Sequence, residues 1–60
     1  MKHYKYSVEW SEEEQEWMGT CDKFPLLSHF DKTITSAIFG IVGLVSTVVS
    51  DMEKNGEILP

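Results

Sequence analysis

Three side chains in this 60-residue chain could serve as soft metal ligands or as a nucleophile–base pair: Cys21, His3 and His29. A thiol beside an imidazole is the arrangement of cysteine nucleophiles, and Cys/His sets hold zinc when four ligands converge. Here the three lie far apart in sequence, without motif spacing, and one short of a tetrahedral set. Cys21 falls in a strand-like stretch, where a thiol is most simply a small buried hydrophobe. A chain this short also leaves little room for a substrate pocket of several hundred Å3. These residues point to no catalysis, no metal and no cofactor.

The acidic residues are more informative. Glu9, Glu12, Glu13, Glu14, Glu16 and Asp22 follow one another with no Lys or Arg from Tyr6 through Asp22. The formal net charge is −5, the five cationic residues are all Lys, and they are scattered. A nucleic-acid binder needs a basic stripe to neutralise phosphates, so direct nucleic-acid binding is not expected. Taken singly, each acid is a solvated surface residue. As a group, Glu12, Glu13, Glu14, Glu16 and Asp22 are candidates to contact a basic protein partner and steer it in.

The elements that must carry these residues are short. Tyr4, Tyr6, Val8 and Trp10 alternate with Lys5, Ser7 and Glu9, the period of a half-buried strand, and a strand is predicted over about 3–10, after a two-residue tail. Ser11–Glu16 reads as a hairpin loop between two strand-like runs. Ser11 and Glu14 also fit a helix-capping pattern, but the loop is preferred, and without Gly it should be wider than two residues. The second strand is predicted over about 16–22. Trp17, Gly19 and Cys21 share one of its faces, Met18 and Thr20 the other, and this alternation does not say which face is buried. Gly19 suggests a bulge or a close backbone approach. After a turn at Asp22–Lys23, Pro25 biases Phe24 to an extended conformation. A short third strand is predicted over about 26–30, at a sheet edge or with Pro at its start.

The longest pattern follows. Ile34, Ala37, Ile38, Ile41, Leu44, Val45, Val48 and Met52 recur at spacings of three and four, one face of a helix predicted over about 34–54. Thr33 is a plausible N-cap. Lys54 suits the helix's negative end, and Gly56 can take the left-handed conformation that ends it. The β-branched residues and Gly40 and Gly43 argue for a broken strand pair instead, yet two strands would keep a three/four spacing for five turns only by accident. Ile34, Ile41, Val45, Val48 and Met52 centre the core stripe. Phe39 falls outside it with Val42 and Val49 on a flank, and Gly40 and Gly43 leave the surface beside Phe39 flat. Phe39, Val42 and Val49 are therefore candidate oligomer-contact residues. The tail Glu57–Pro60 is read as extended, available to pair with a sheet edge.

Sixty residues form one small domain that is marginal alone. With a single Cys and no metal set, self-association is the remaining way to add stability, so a homo-oligomer is expected. A lone Cys without a signal-peptide pattern suits a cytoplasmic location. Ala37–Val49 is apolar, but Ser46 and Thr47 interrupt it and Asp51 closes it, short of the about 20 residues that span a bilayer. No membrane association is expected.

The order of these pieces resembles the HicB-like antitoxin family of type II toxin–antitoxin systems. The residues that carry the resemblance are Tyr4-Lys5-Tyr6-Ser7-Val8-Glu9-Trp10-Ser11, Gly19-Thr20-Cys21 and Phe24-Pro25-Leu26-Leu27-Ser28. They continue with Thr33, Ala37-Ile38, Gly40-Ile41, Leu44-Val45 and Val48-Val49-Ser50-Asp51-Met52. The closing Asn55-Gly56-Glu57-Ile58-Leu59-Pro60 is similar to the Asp/Asn-Gly-Glu-Pro-Ile-Pro that ends this domain in many members. Together they cover nearly the whole chain. The resemblance implies a three-stranded antiparallel sheet with one helix across it, a partial RNase H-like fold. The partner it implies is a HicA-type toxin, a small basic ribonuclease with a double-stranded-RNA-binding fold. Many relatives continue into an operator-binding ribbon–helix–helix or helix–turn–helix domain; this chain stops at Pro60, so operator repression is not expected of it. The helix begins Ile34-Thr35-Ser36-Ala37 where relatives often have Pro-Glu-Glu-Ala, and Phe39 and Val42 replace outward polar residues.

The expectation is an α+β domain of order β-β-β-α, self-associating and non-catalytic, acting as an antitoxin that masks a toxin ribonuclease. The alternative is a stand-alone interaction module of the same fold, self-associating and without a toxin partner, of the kind a phage or mobile element carries.

Overall fold

A computed structural model describes residues 3–60; Met1–Lys2, read as a short tail, lie outside them. The chain forms β1 (Tyr6–Ser11), β2 (Glu16–Cys21), β3 (Ser28–Asp31) and α1 (Ile34–Lys54). The strands make one antiparallel sheet in the order β1-β2-β3, and α1 packs across it as the sequence predicts. Tyr6 faces Cys21, Val8 faces Gly19 and Trp10 faces Trp17. On the other side of β2, Gly19 faces His29 and Trp17 faces Asp31.

Alternation then assigns the two faces, which the sequence left open. Gly19 and Cys21 are buried, and Gly19 lies under Ala37 and Ile41 of α1. The helix side of the sheet therefore carries Tyr6, Val8, Trp10, Trp17, Gly19, Cys21, His29 and Asp31. Ser7, Glu9, Glu16, Met18, Thr20, Ser28 and Phe30 lie on the other side, which no element among the described residues covers.

Helix and sheet approach so closely because both are pared back at the crossing. A Cβ at Gly19 would stand 2.6 Å from the Ala37 carbonyl oxygen and 2.9 Å from Ile41 Cγ2. Gly19 is thus a close backbone approach rather than a bulge. Gly40 plays the matching part on α1, because a Cβ there would overlap the His29 ring. This corrects the placement of Gly40 beside Phe39: it meets the sheet, whereas Gly43 faces open space. Cys21, Ile41 and Val45 form the core, with Ala37 also buried.

The core stripe is shorter than the wheel suggests. Ile34 is 51% exposed, and Met52 is half-buried. A helix of 21 residues is about 31 Å long, whereas a six-residue strand spans about 20 Å, so the ends of α1 overhang.

The ends of α1 match the sequence reading. Thr33 Oγ1 accepts from the Ser36 N–H at 3.0 Å, which satisfies one orphan donor. At the other end Gly56 has φ 71°, the Gly56 N–H donates to Glu53 O and the Glu57 N–H to Met52 O. That pair of bonds is the Schellman arrangement, which a left-handed Gly permits. The tail beyond it forms no strand, and Ile58 is 92% exposed.

Two strand starts move by two residues or more, and the other bounds by at most one. The third strand begins at Ser28, not near 26, because the Leu27 N–H closes a turn on Phe24 O at 3.0 Å. Pro25 takes the second turn position, which its ring favours. β1 begins at Tyr6, although Lys5 still bonds to Asp22, its N–H reaching the Asp22 carboxylate instead of a carbonyl.

Candidate functional site

The acidic residues gather where β1 turns into β2. The loop Glu12–Gln15 is four residues long, wider than two as expected, and is wound like a single helical turn. The Gln15 N–H donates to Ser11 O at 2.8 Å and the Glu14 N–H to Ser11 Oγ at 3.2 Å. The hairpin loop forms and no helix does, although Ser11 Oγ takes the Glu14 N–H as a helix cap would. Gln15 has φ 55°, a left-handed conformation that Gly fills more cheaply. Its side-chain amide compensates by donating to Glu12 O and Glu12 Oε2. Glu12 also accepts from Trp10 Nε1 at 3.2 Å, and Trp10 stacks edge-on against Trp17 with ring centroids 5.4 Å apart. The loop is thereby held on a rigid aromatic base.

Glu12, Glu13 and Glu14 are exposed on this loop. Glu9 and Glu16 add their charge on the uncovered side of the sheet, beside the cross-strand pair Met18–Phe30. Phe30 is 37% exposed. The arrangement is an apolar centre with a negative margin, and none of these glutamates forms an ion pair among the described residues. A surface of that kind suits docking of a cationic one.

Asp22 does not belong with them. β2 runs from Glu16 to Cys21, so Asp22 stands roughly 20 Å from the loop at the sheet's other end. Its carboxylate accepts from the Lys5 N–H, and that bond, ahead of smaller contributions from Lys23 and Cys21, holds its pKa below the usual Asp value. The expected set of Glu12, Glu13, Glu14, Glu16 and Asp22 is therefore split.

The helix set is also divided. Phe39 is 72% exposed, on the same outward side as Gly43, Ser46 and Ser50. Val42 is half-buried, and Val49 packs against the core cluster with Leu44. Val49 therefore does not extend an exposed Phe39 patch.

The soft ligands do not converge. Cys21 is 3% exposed in the core and His3 is exposed. His29 Nε2 lies 3.2 Å from Asp31 Oδ2. The Lys32 N–H and then His29 lower the Asp31 pKa. Among the described residues no cluster of His, Cys, Asp and Glu is arranged to hold a metal ion.

A cavity of the size thought out of reach does exist. An open apolar groove of about 310 Å3 is lined by Lys23, Phe24, Pro25, Leu26, Leu27 and Val48. It holds no acid, thiol or imidazole. Leu26, in the turn that Pro25 makes, stands 95% exposed at its margin. The helix also goes further than the apolar run Ala37–Val49 implied, since over 21 residues α1 is long and apolar enough to cross a membrane by length and composition.

No protein-family model matches the chain, and no curated protein or solved structure shows significant similarity to it.

Proposed function

We propose that this chain is a HicB-like antitoxin domain, a cytoplasmic, non-catalytic protein that binds a HicA-type toxin ribonuclease and masks its RNA-contacting surface. The observation that carries the reading is the concentration of Glu9, Glu12, Glu13, Glu14 and Glu16 at one end of a sheet whose outer face is uncovered. A toxin that grips RNA must present cations, and an acidic surface competes for them and accelerates encounter. The β-β-β-α order and the sequence resemblance along the chain support the same reading.

The experiment is inhibition of RNA cleavage by the toxin that co-purifies with the protein from its host, using a Glu12→Lys/Glu13→Lys/Glu14→Lys variant. The Glu13 and Glu14 side chains are exposed and carry no hydrogen bond among the described residues, so reversing them should change stability by no more than about 0.5 kcal/mol each; Glu12→Lys also gives up the bonds from Trp10 and Gln15 and should cost about 1 kcal/mol, which makes Glu13→Lys/Glu14→Lys the control variant. Inhibition should fall, through slower association that depends steeply on salt. Unchanged inhibition by a folded variant sinks the proposal. A stand-alone interaction module of the same fold is the second reading, favoured by the exposed Phe39. Loss of self-association or of another partner in Phe39→Ser, with no basic protein co-purifying, supports it. Recovery of the protein in the detergent fraction alone would instead give α1 a membrane role.

A further inference from the structure

The two edges of the sheet differ. β3 is four residues long, and His29 and Asp31 put polar groups on its inward side. Both features are ways of discouraging an edge from pairing. β1 has neither. The Asp22 N–H donates to Lys5 O at 3.0 Å, and the Gln15 N–H closes on Ser11 O. Lys5 and Ser11 thus turn their polar groups toward the sheet, and antiparallel alternation assigns Ser7 and Glu9 to the same set. The N–H and C=O groups of Tyr6, Val8 and Trp10 therefore point outward along an edge that no strand among the described residues pairs.

We propose that this edge is a homodimer seam, in which β1 pairs antiparallel with β1 of a second copy about a two-fold axis through Ser7. Charge selects the partner and the register. Lys5 and Glu9 are both exposed, lie on the same side of the strand, and are equidistant from Ser7. With Ser7 opposite Ser7, Lys5 of each copy stands opposite Glu9 of the other, in the non-hydrogen-bonded positions where cross-strand side chains come closest. Tyr6 and Val8 then exchange backbone bonds with Val8 and Tyr6, and Tyr4 lies opposite Trp10. A shift of two residues opposes no unlike charges. A shift of four sets Glu9 against Glu9 or Lys5 against Lys5, and a shift of one turns every side chain to the wrong face. An edge Lys alone is a guard against pairing; a Lys and a Glu placed symmetrically about Ser7 make the edge complementary to itself. The product is one continuous six-stranded sheet with both helices on one side.

The test is mass in solution by light scattering, with crosslinking. Wild-type protein should run at twice the 6.9 kDa chain mass. Lys5→Glu and Glu9→Lys should each weaken the dimer by about 10–100-fold, since each reversal turns two favourable pairs into two repulsive ones. The combined Lys5→Glu/Glu9→Lys protein should recover it, which also shows that neither change acts by unfolding. Ser7→Cys should form a disulfide-linked dimer on mild oxidation, because opposed residues at such positions have Cα atoms about 4.5 Å apart, while Cys21 is buried. A monomer throughout the soluble range, or a dimer indifferent to the charge reversals, overturns the proposal. So does a dimer lost in Phe39→Ser and not crosslinked by Ser7→Cys, which would place the seam on α1.

Discussion

The crossing of α1 over the sheet and the hairpin end are built on opposite terms. At the crossing there is little room between helix and sheet: a Cβ on Gly19 would strike the Ala37 carbonyl, one on Gly40 would strike the His29 ring, and Ala37 itself is fully buried. At the hairpin end, Glu12, Glu13 and Glu14 are exposed, and Ser11, Gln15, the Glu12 carboxylate and the two Trp rings hold the loop's shape. The crossing therefore tolerates few substitutions but specifies the fold. The hairpin end tolerates many and is free to specify a partner.

Four substitutions should break or sharpen that contrast. Ile41→Ala empties the centre of the crossing, where Ile41 is fully buried, and should cost about 2–5 kcal/mol in urea unfolding. Next come the two helix glycines, three residues apart. Gly40→Ala should destabilise by about 1–3 kcal/mol, because its Cβ must displace the His29 ring from Asp31. Gly43→Ala meets nothing and should stabilise by about 0.5–1 kcal/mol through helix propensity. Equal effects at both would mean that the helix does not cross the sheet at Gly40. The smallest effect is on acid stability. Asp22 and Asp31 are held below the ordinary Asp value of 3.8, by the Lys5 and Lys32 N–H groups respectively. The unfolded chain takes up these protons first as pH drops. The stability they contribute is whole above pH 3.8 and is lost as pH falls through their lower folded values. Asp22→Asn should flatten that acid limb slightly while leaving hairpin-end binding unchanged, since Asp22 stands apart from the glutamates.

The bounds of α1 were legible because its signals are local: Thr33 caps one end, Gly56 the other, and the spacing between them holds throughout. The hairpin was legible from the flanking alternation, and the absence of Gly showed that its loop is wider than two residues, though not that it has four. The buried face of β2 was not, because Trp17, Gly19 and Cys21 are no more apolar as a set than Met18 and Thr20 are. Only the partner across the gap decides it. Gly40 was misplaced for the same reason: a wheel measures angle about one helix, and its contact is a ring from β3. The acidic loop could be seen in composition alone. The separation of Asp22 from it follows from β2 running away from the loop, a fact of strand direction that charge counting does not register.

The order of elements along the chain has a kinetic consequence. Each strand pairs with the one made just before it, so the sheet assembles from near-neighbour pairings of low contact order, and such topologies fold quickly. The helix is made last. During synthesis the three strands can pair while Tyr6, Val8 and Trp17 still look into solvent, and the nascent sheet is adhesive until α1 closes over it.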